Sequence, residues 1–408
     1  MQLAESIKLP CGVVLKNRLA KSAMSENMAY PQFNAGDEFY HLYRRWCTGG
    51  LGLCISGNVM VDKQHLGEAH NIVIEKGLDN HAGLKNWARA GQDTNCQLWV
   101  QLNHPGKQIP NFISKDNLSP SAIPFAKPLD KMFSTPRELT EVEIINIIER
   151  FADAAKIVKD CGFSGVQIHG AHGYLVSQFL SGKSNQRTDQ WGGSSENRMR
   201  FVVEVYKSMR RQVGADFPIG IKINSADFQK GGFTNAEAIQ VAKKLSELGI
   251  DLIELSGGTY EKPAMTGIEL KASTKKREAY FLEYAAEIKN VISCPLMVTG
   301  GFRTAAFMQQ ALAEKALDII GLARPLAINP EFPQQLLAGD NVQSEVKPLT
   351  SGFKIIDTLF PLEIIWYTEQ LHRIGHKKQP RRTGGVYAAI FNTAFSMGLE
   401  MLKRVRGQ

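Results

Sequence analysis

Within six residues, His169, His172 and Tyr174 (His169-Gly-Ala-His172-Gly-Tyr174) bring two imidazoles and a phenol together. Imidazoles and phenols can hydrogen-bond and exchange protons, so the triplet is a candidate for chemistry. A metal would need at least one more ligand, and no neighbouring His, Cys or carboxylate has a clear claim. Two histidines three apart also occur as ordinary core or surface residues. Position separates these readings. Gly165 to Ile168 is a short apolar strand that runs straight into the triplet. A polar, glycine-containing run from Ser184 to Ser195 follows, and from Glu196 the apolar residues Met199, Val202, Val203 and Tyr206 take helical spacing. Strand, reactive side chains, loop, helix is how an α/β enzyme presents chemistry at the carboxyl end of a strand.

Eight short apolar segments recur along the chain, each leading toward a helical pattern. They are Leu19–Met24, Gly52–Met60, Cys96–Leu102, Gly165–His169, Ile219–Ile223, Ile250–Ser256, Pro295–Val298 and Leu317–Leu322. Thr140 with Glu143, and Thr234 with Glu237, read as capping boxes opening two of the helices. Eight β-then-α units predict an α/β chain closed as a (β/α)8 TIM barrel over residues 1–340; a doubly wound open sheet is the alternative and usually has fewer strands. Ile7 to Asn17 reads as a hairpin turning at Pro10-Cys11-Gly12. Asn103 to Thr140, with six prolines, reads as a long loop over the active face. From about Asn341 the β/α rhythm stops. Residues 341–408 read as a basic helical extension packing on the barrel or on a second copy in a homo-oligomer.

The strand ends of such a barrel supply the site. Gly300-Gly301 after strand 7 and Ala323-Arg324 after strand 8 form a phosphate site, with backbone N–H groups and one cation for a dianion. Gly300-Gly301 taken alone would be a tight turn. A small floor at Ala23-Met24-Ser25 and Gly57, an amide at Gln101 and a cation at Lys222 suit a flat phosphorylated heterocycle, and FMN fits. Lys222 could instead pair with a barrel carboxylate. No Gly-x-Gly-x-x-Gly follows a strand, so no Rossmann nucleotide site is indicated.

These residues resemble the Old Yellow Enzyme family of FMN-dependent ene reductases and NADH:flavin oxidoreductases, over Leu15 to about Pro330. The most specific part is His169-Gly-Ala-His172-Gly-Tyr174, then Asn185-x-Arg187-x-Asp189-x-x-Gly192-Gly193-Ser194-x-Glu196-Asn197-Arg198. The resemblance implies that His169 and His172 donate to a carbonyl, nitro or phenolate oxygen and that Tyr174 is the proton donor. It places Ala23, Met24, Ser25, Gly57, Gln101 and Lys222 along the flavin, and Gly300, Gly301, Ala323 and Arg324 on its phosphate. NAD(P)H would be the reductant, and an enone, nitro compound or quinone the oxidant. The family usually has arginine where Lys222 stands, often Cys or Thr at Ser25, and in one branch an active-site tyrosine where Asn27 stands, with Tyr30 nearby. An NAD(P)H oxidase or quinone reductase on the same flavin, and a flavin-free barrel acting on sugar phosphates, are the competing enzyme readings.

Bulk properties bound the rest. With 43% hydrophobic and 22% charged residues the chain is an ordinary globular protein. Six scattered cysteines without a Cys-x-x-Cys fit a reducing compartment, and no signal-peptide pattern opens the chain, so the expected location is cytoplasmic. No apolar run is long enough to span a membrane. From Arg373 onward eight Lys/Arg face one acid, which accounts for +7 of the net charge of +8. The nearly neutral body argues against a nucleic-acid partner. The tail, with Val386 to Leu399 uncharged and then Lys403, Arg404 and Arg406, leaves a membrane-surface reading beside burial against protein.

Overall fold

The computed structural model describes residues 2–29, 33–262, 278–279, 281–353 and 362–392. Eight strands form the barrel: β1 (Leu19–Lys21), β2 (Leu53–Met60), β3 (Gln97–Asn103), β4 (Gly165–Gly170), β5 (Ile219–Asn224), β6 (Leu252–Ser256), β7 (Leu296–Thr299) and β8 (Ile319–Leu322). Each pairs in parallel with its neighbours, and β8 returns to β1, so the sheet closes. Around it run α1 (Asp37–Thr48), α2 (His81–Gln92), α3 (Glu141–Asp160), α4 (Ser195–Val213), α5 (Asn235–Glu247), α6 (Leu282–Lys289), α7 (Ala305–Ala313) and α8 (Phe332–Ala338). Both capping boxes form, at Thr140 and Thr234. Ser194 caps α4 by accepting from the Asn197 N–H, and the hairpin pairs Ile7 with Leu15.

Alternation along the strands sorts the interior into layers. Alternate positions face outward into the core beneath the helices, as with Val166, Ile221 and Leu255. Inward residues at the floor are apolar, including Leu53, Trp99, Leu252, Met297 and Ile319. Trp99 fills that floor because β4 and β5 offer glycines opposite it. A Cβ on Gly165 would lie 2.5 Å from the indole nitrogen, and one on Gly220 2.9 Å from the ring. One step up, the inward residues turn polar: Gln101, Gln167, Lys222, Glu254 and Thr299. The rim then carries Asn103, His169, Asn224 and Ser256.

Residues 103–140 cross the strands' carboxyl face, as their prolines suggested, and Arg187 fastens them. Its buried guanidinium donates to Pro120 O at 3.0 Å and Leu139 O at 2.7 Å and pairs with Asp189. Asn185 Nδ2 donates to Phe179 O and Trp191 O, both at 2.8 Å. The Asn185–Asp189 part of the motif is therefore a clamp on two loops.

After the barrel, α9 (Leu362–Gly375) lies along α1. His372 Nε2 donates to Glu26 O at 2.7 Å, and Trp366 Nε1 donates to Gly384 O at 2.7 Å. Residues 386–392 are helical with Ala389 buried; the rest of the uncharged tail segment and its basic end lie outside the described residues. Among the described residues, no helix is long and apolar enough to cross a membrane.

Candidate functional site

β4 delivers the reactive triplet. His169 is the inward residue at its carboxyl end, next to Lys222 of β5 in register. His172 takes a left-handed backbone conformation (φ 61), rare for a non-glycine residue, and this turns its ring back over the barrel. The turn is held by Asn224 Oδ1, which accepts the His172 N–H at 3.2 Å, and by a bridge between His172 and Thr259. The two imidazole centroids are 5.2 Å apart at 86°, and Tyr174 packs on His169 at 4.8 Å.

A backbone hydrogen bond assigns the His169 tautomer. His169 Nδ1 accepts the Ala171 N–H at 3.3 Å, so its proton sits on Nε2. His172 Nε2 lies 2.9 Å from Ser256 Oγ. With the serine hydroxyl donating, the His172 proton sits on Nδ1. Each ring then keeps one N–H. Burial, with Lys222 nearby, holds His172 neutral, pushed down to about 3; burial, then His172 and Lys222, push His169 well below the usual range. Two neutral imidazoles lie side by side at the end of β4.

Tyr174 Oη accepts from Asn58 Nδ2 at 3.1 Å and lies 2.9 Å from Tyr260 Oη. Burial pushes its pKa well above the ordinary phenol value. Neither Asn58, on β2, nor Tyr260, after β6, was legible as a partner, because both come from segments far from Tyr174 in sequence.

Beneath the triplet runs a buried polar relay. Gln101 Nε2 donates to Gln167 Oε1 at 2.7 Å, and Gln167 Nε2 to Glu254 Oε2 at 2.7 Å. Glu254 Oε1 accepts from Thr299 Oγ1 at 2.7 Å and lies 3.0 Å from Lys222 Nζ. Ser22 Oγ and Thr299 Oγ1, 2.6 Å apart, carry the chain to β1. Lys222 is therefore paired with a barrel carboxylate, the alternative that its sequence context left open. Glu254 was the missed residue; its signal was a lone acid inside the apolar strand Leu252–Ser256.

The remaining candidates fall into two groups. On the β1–β2 side, Gly57 is required by close approach: a Cβ there would lie 2.3 Å from Met24 O and from Glu26 Oε2. Gly57 thus seats the Ala23-Met24-Ser25 segment, and Ser25 Oγ bonds Glu68. On the β7–β8 side, Gly300 (φ 123) and Gly301 (φ 86) adopt backbone that favours glycine, beside Ala323 and Arg324 after the neighbouring strand. Arg324 pairs with Glu363 of α9, so the extension reaches the phosphate group's expected cation. Asn27 Oδ1 accepts the His70 N–H at 2.9 Å; Tyr30 lies outside the described residues.

The fit to a flavin rests on Asn103. This inward rim residue of β3 is 1% exposed, yet neither its Oδ1 nor its Nδ2 has a partner. A buried amide with both ends unsatisfied costs about 1–3 kcal/mol per group unless a ligand completes it. A heterocycle with donor and acceptor edges does so.

Residues 3–343 match the family model described as NADH:flavin oxidoreductase / NADH oxidase. An NADH-dependent flavin oxidoreductase of Talaromyces variabilis is 36% identical over 363 residues, covering 84% of this chain and 88% of that protein. A 2-naphthoyl-CoA reductase solved with 2-naphthoyl-CoA superposes with a TM-score of 0.77 at 28% identity, over 84% of this chain and 54% of that one. An old yellow enzyme homologue from Zymomonas mobilis shares the fold, with a TM-score of 0.71 at 23% identity over 85% of this chain and 95% of its own.

Proposed function

The chain belongs to the NADH:flavin oxidoreductase / NADH oxidase family, and from that premise we propose that this FMN- and NAD(P)H-using oxidoreductase reduces the activated C=C bond of α,β-unsaturated carbonyl or nitro compounds. Residues 1–340 are the catalytic unit and 341–408 an appendage to it. Gln101, Asn103 and Lys222 would hold the ring of FMN, with Ala23, Met24, Ser25 and Gly57 along it. Gly300, Gly301, Ala323 and Arg324 would hold its phosphate. Bound FMN would supply the hydride chemistry that links NAD(P)H to the second substrate.

The protein's own side chains do the rest. His169 Nε2–H and His172 Nδ1–H donate to the carbonyl or nitro oxygen, which gains negative charge as the β-carbon accepts hydride. Both rings are neutral, so they stabilise that charge without surrendering a proton. Tyr174 then gives its hydroxyl proton to the α-carbon. The observation that carries this reading is the Tyr174 hydroxyl, held by Asn58 and Tyr260 beside two neutral imidazoles. An oxidase or quinone reductase has no carbon to protonate.

The test is stopped-flow reoxidation of the NADH-reduced enzyme by 2-cyclohexen-1-one. His169→Ala/His172→Ala should slow it by about 10²-fold or more, the scale of losing oxyanion donors. Unchanged enone turnover in that variant would refute the assignment.

A further inference from the structure

We propose that Tyr260 returns to Tyr174 the proton spent on the substrate, and that its hydroxyl steadies the Tyr174 phenolate in between. This rests on the ene-reductase reading above.

The argument begins with a difficulty at Tyr174. Its ring is 5% exposed, and burial makes its hydroxyl a poor acid. Once the proton has gone to carbon, the phenolate is a charge without direct access to water. A hydroxyl oxygen accepts through two lone pairs. Asn58 Nδ2 takes one at 3.1 Å and the Tyr260 hydroxyl reaches the other at 2.9 Å. When both donate, the Tyr174 hydrogen is left pointing at the substrate. Both bonds strengthen as the oxygen becomes anionic.

Tyr260 is suited to the second half of the task. It is 39% exposed, so one end of the phenol pair meets solvent while the other meets the site. Burial of its hydroxyl pushes its pKa up to about 12, and its 2.9 Å contact with Tyr174 Oη gives the proton a direct path. Its place is fixed by the elements that set His172. Thr259, the preceding residue, bridges to His172 and closes a turn with Lys262, its N–H donating to Lys262 O at 2.9 Å. The ring packs against Phe133 of the loop after β3, with centroids 6.3 Å apart.

The steps balance. The Tyr174 O–H bond breaks as the α-carbon C–H bond forms. The Tyr260 O–H bond then breaks as the Tyr174 O–H re-forms, and water reprotonates Tyr260. The net proton comes from solvent. Tyr260 acts through Tyr174 and is a positioning and relay residue.

Tyr260→Phe keeps the ring and removes the hydroxyl. Reoxidation by 2-cyclohexen-1-one should slow by about 10- to 100-fold, the loss of one charge-assisted hydrogen bond. Reduction by NADH and reoxidation by benzoquinone, which needs no proton on carbon, should stay at the wild-type rates. Tyr260→His, which restores a donor, should recover most of the enone rate and serves if the Phe variant folds poorly. Tyr174→Phe separates the two readings. If it is slow while Tyr260→Phe matches wild type, the relay is overturned and enone reduction stands. If Tyr174→Phe is also unaffected, or wild type does not turn over enones, the ene-reductase reading fails and the relay with it. Equal slowing of the enone and quinone reactions in Tyr260→Phe would mark a structural role and overturn the relay.

Discussion

Glu254→Gln tests the logic of the barrel interior. Glu254 is fully buried and Lys222 is 3% exposed, with 3.0 Å between their charged atoms. Removing one partner of such a pair costs about 3–5 kcal/mol, because the other charge stays buried without compensation. Lys222 can escape only by losing its proton. That costs about 1.4 kcal/mol for each pH unit below the unfolded lysine value near 10.4, or about 4.6 kcal/mol at pH 7. The two routes agree. At about 2 cal/mol/K of unfolding entropy per residue over 408 residues, the variant should melt about 4–6 °C lower. The sign follows: a lysine whose folded pKa is depressed loses stability as pH falls below its unfolded value, so the deficit should shrink to about 2 kcal/mol at pH 9. Lys222→Met/Glu254→Gln removes both charges and should recover most of the loss. Calorimetry of the three proteins at pH 7 and 9 measures this. A single variant melting within 1 °C of wild type, or a double variant no better than the single, would refute the reasoning. The relay adds a second readout. Glu254 Oε2 fixes the direction in which Gln167 and Gln101 donate, so the variant should also alter FMN affinity.

Other perturbations reach the rest of the site. Because His172 is depressed to about 3 and His169 well below its usual range, enone turnover should show no limb near pH 6.5. Unfolded histidine takes up protons below about 6.5 that the folded site refuses, so stability is lost as pH falls from there. His172→Asn should cut the loss between pH 7 and 5, measured by urea unfolding, by about 2 kcal/mol. Arg324→Ala should weaken FMN binding by about 10-fold or more, read by fluorescence quenching, with the fold intact; unchanged affinity would remove Arg324 from the phosphate site. Ending the chain before Leu362 deletes α9 with its Glu363 and His372 contacts, and should lower both melting temperature and FMN affinity. Wild-type values for both would show that α9 merely rests on α1.

What the sequence determined by itself were the features with short-range causes. Short apolar segments, each leading toward a helical pattern, marked all eight strands, within three residues at every end. The capping boxes at Thr140 and Thr234 marked two helix starts, and the six residues from His169 to Tyr174 marked where chemistry would sit, since one strand end delivers them all. Even Glu254 left a trace as an acid in an apolar strand. The tertiary structure alone decided what those residues touch. Closure of the barrel places Lys222 beside Glu254, aligns Gln101 with Gln167, and sets the Ser256 hydroxyl beside His172 Nε2. Asn58 and Tyr260 reach Tyr174 across 116 and 86 positions of chain, and Glu363 reaches Arg324 across 39. No periodicity or local spacing encodes such meetings, because they arise where separately formed loops converge over one face of a closed sheet.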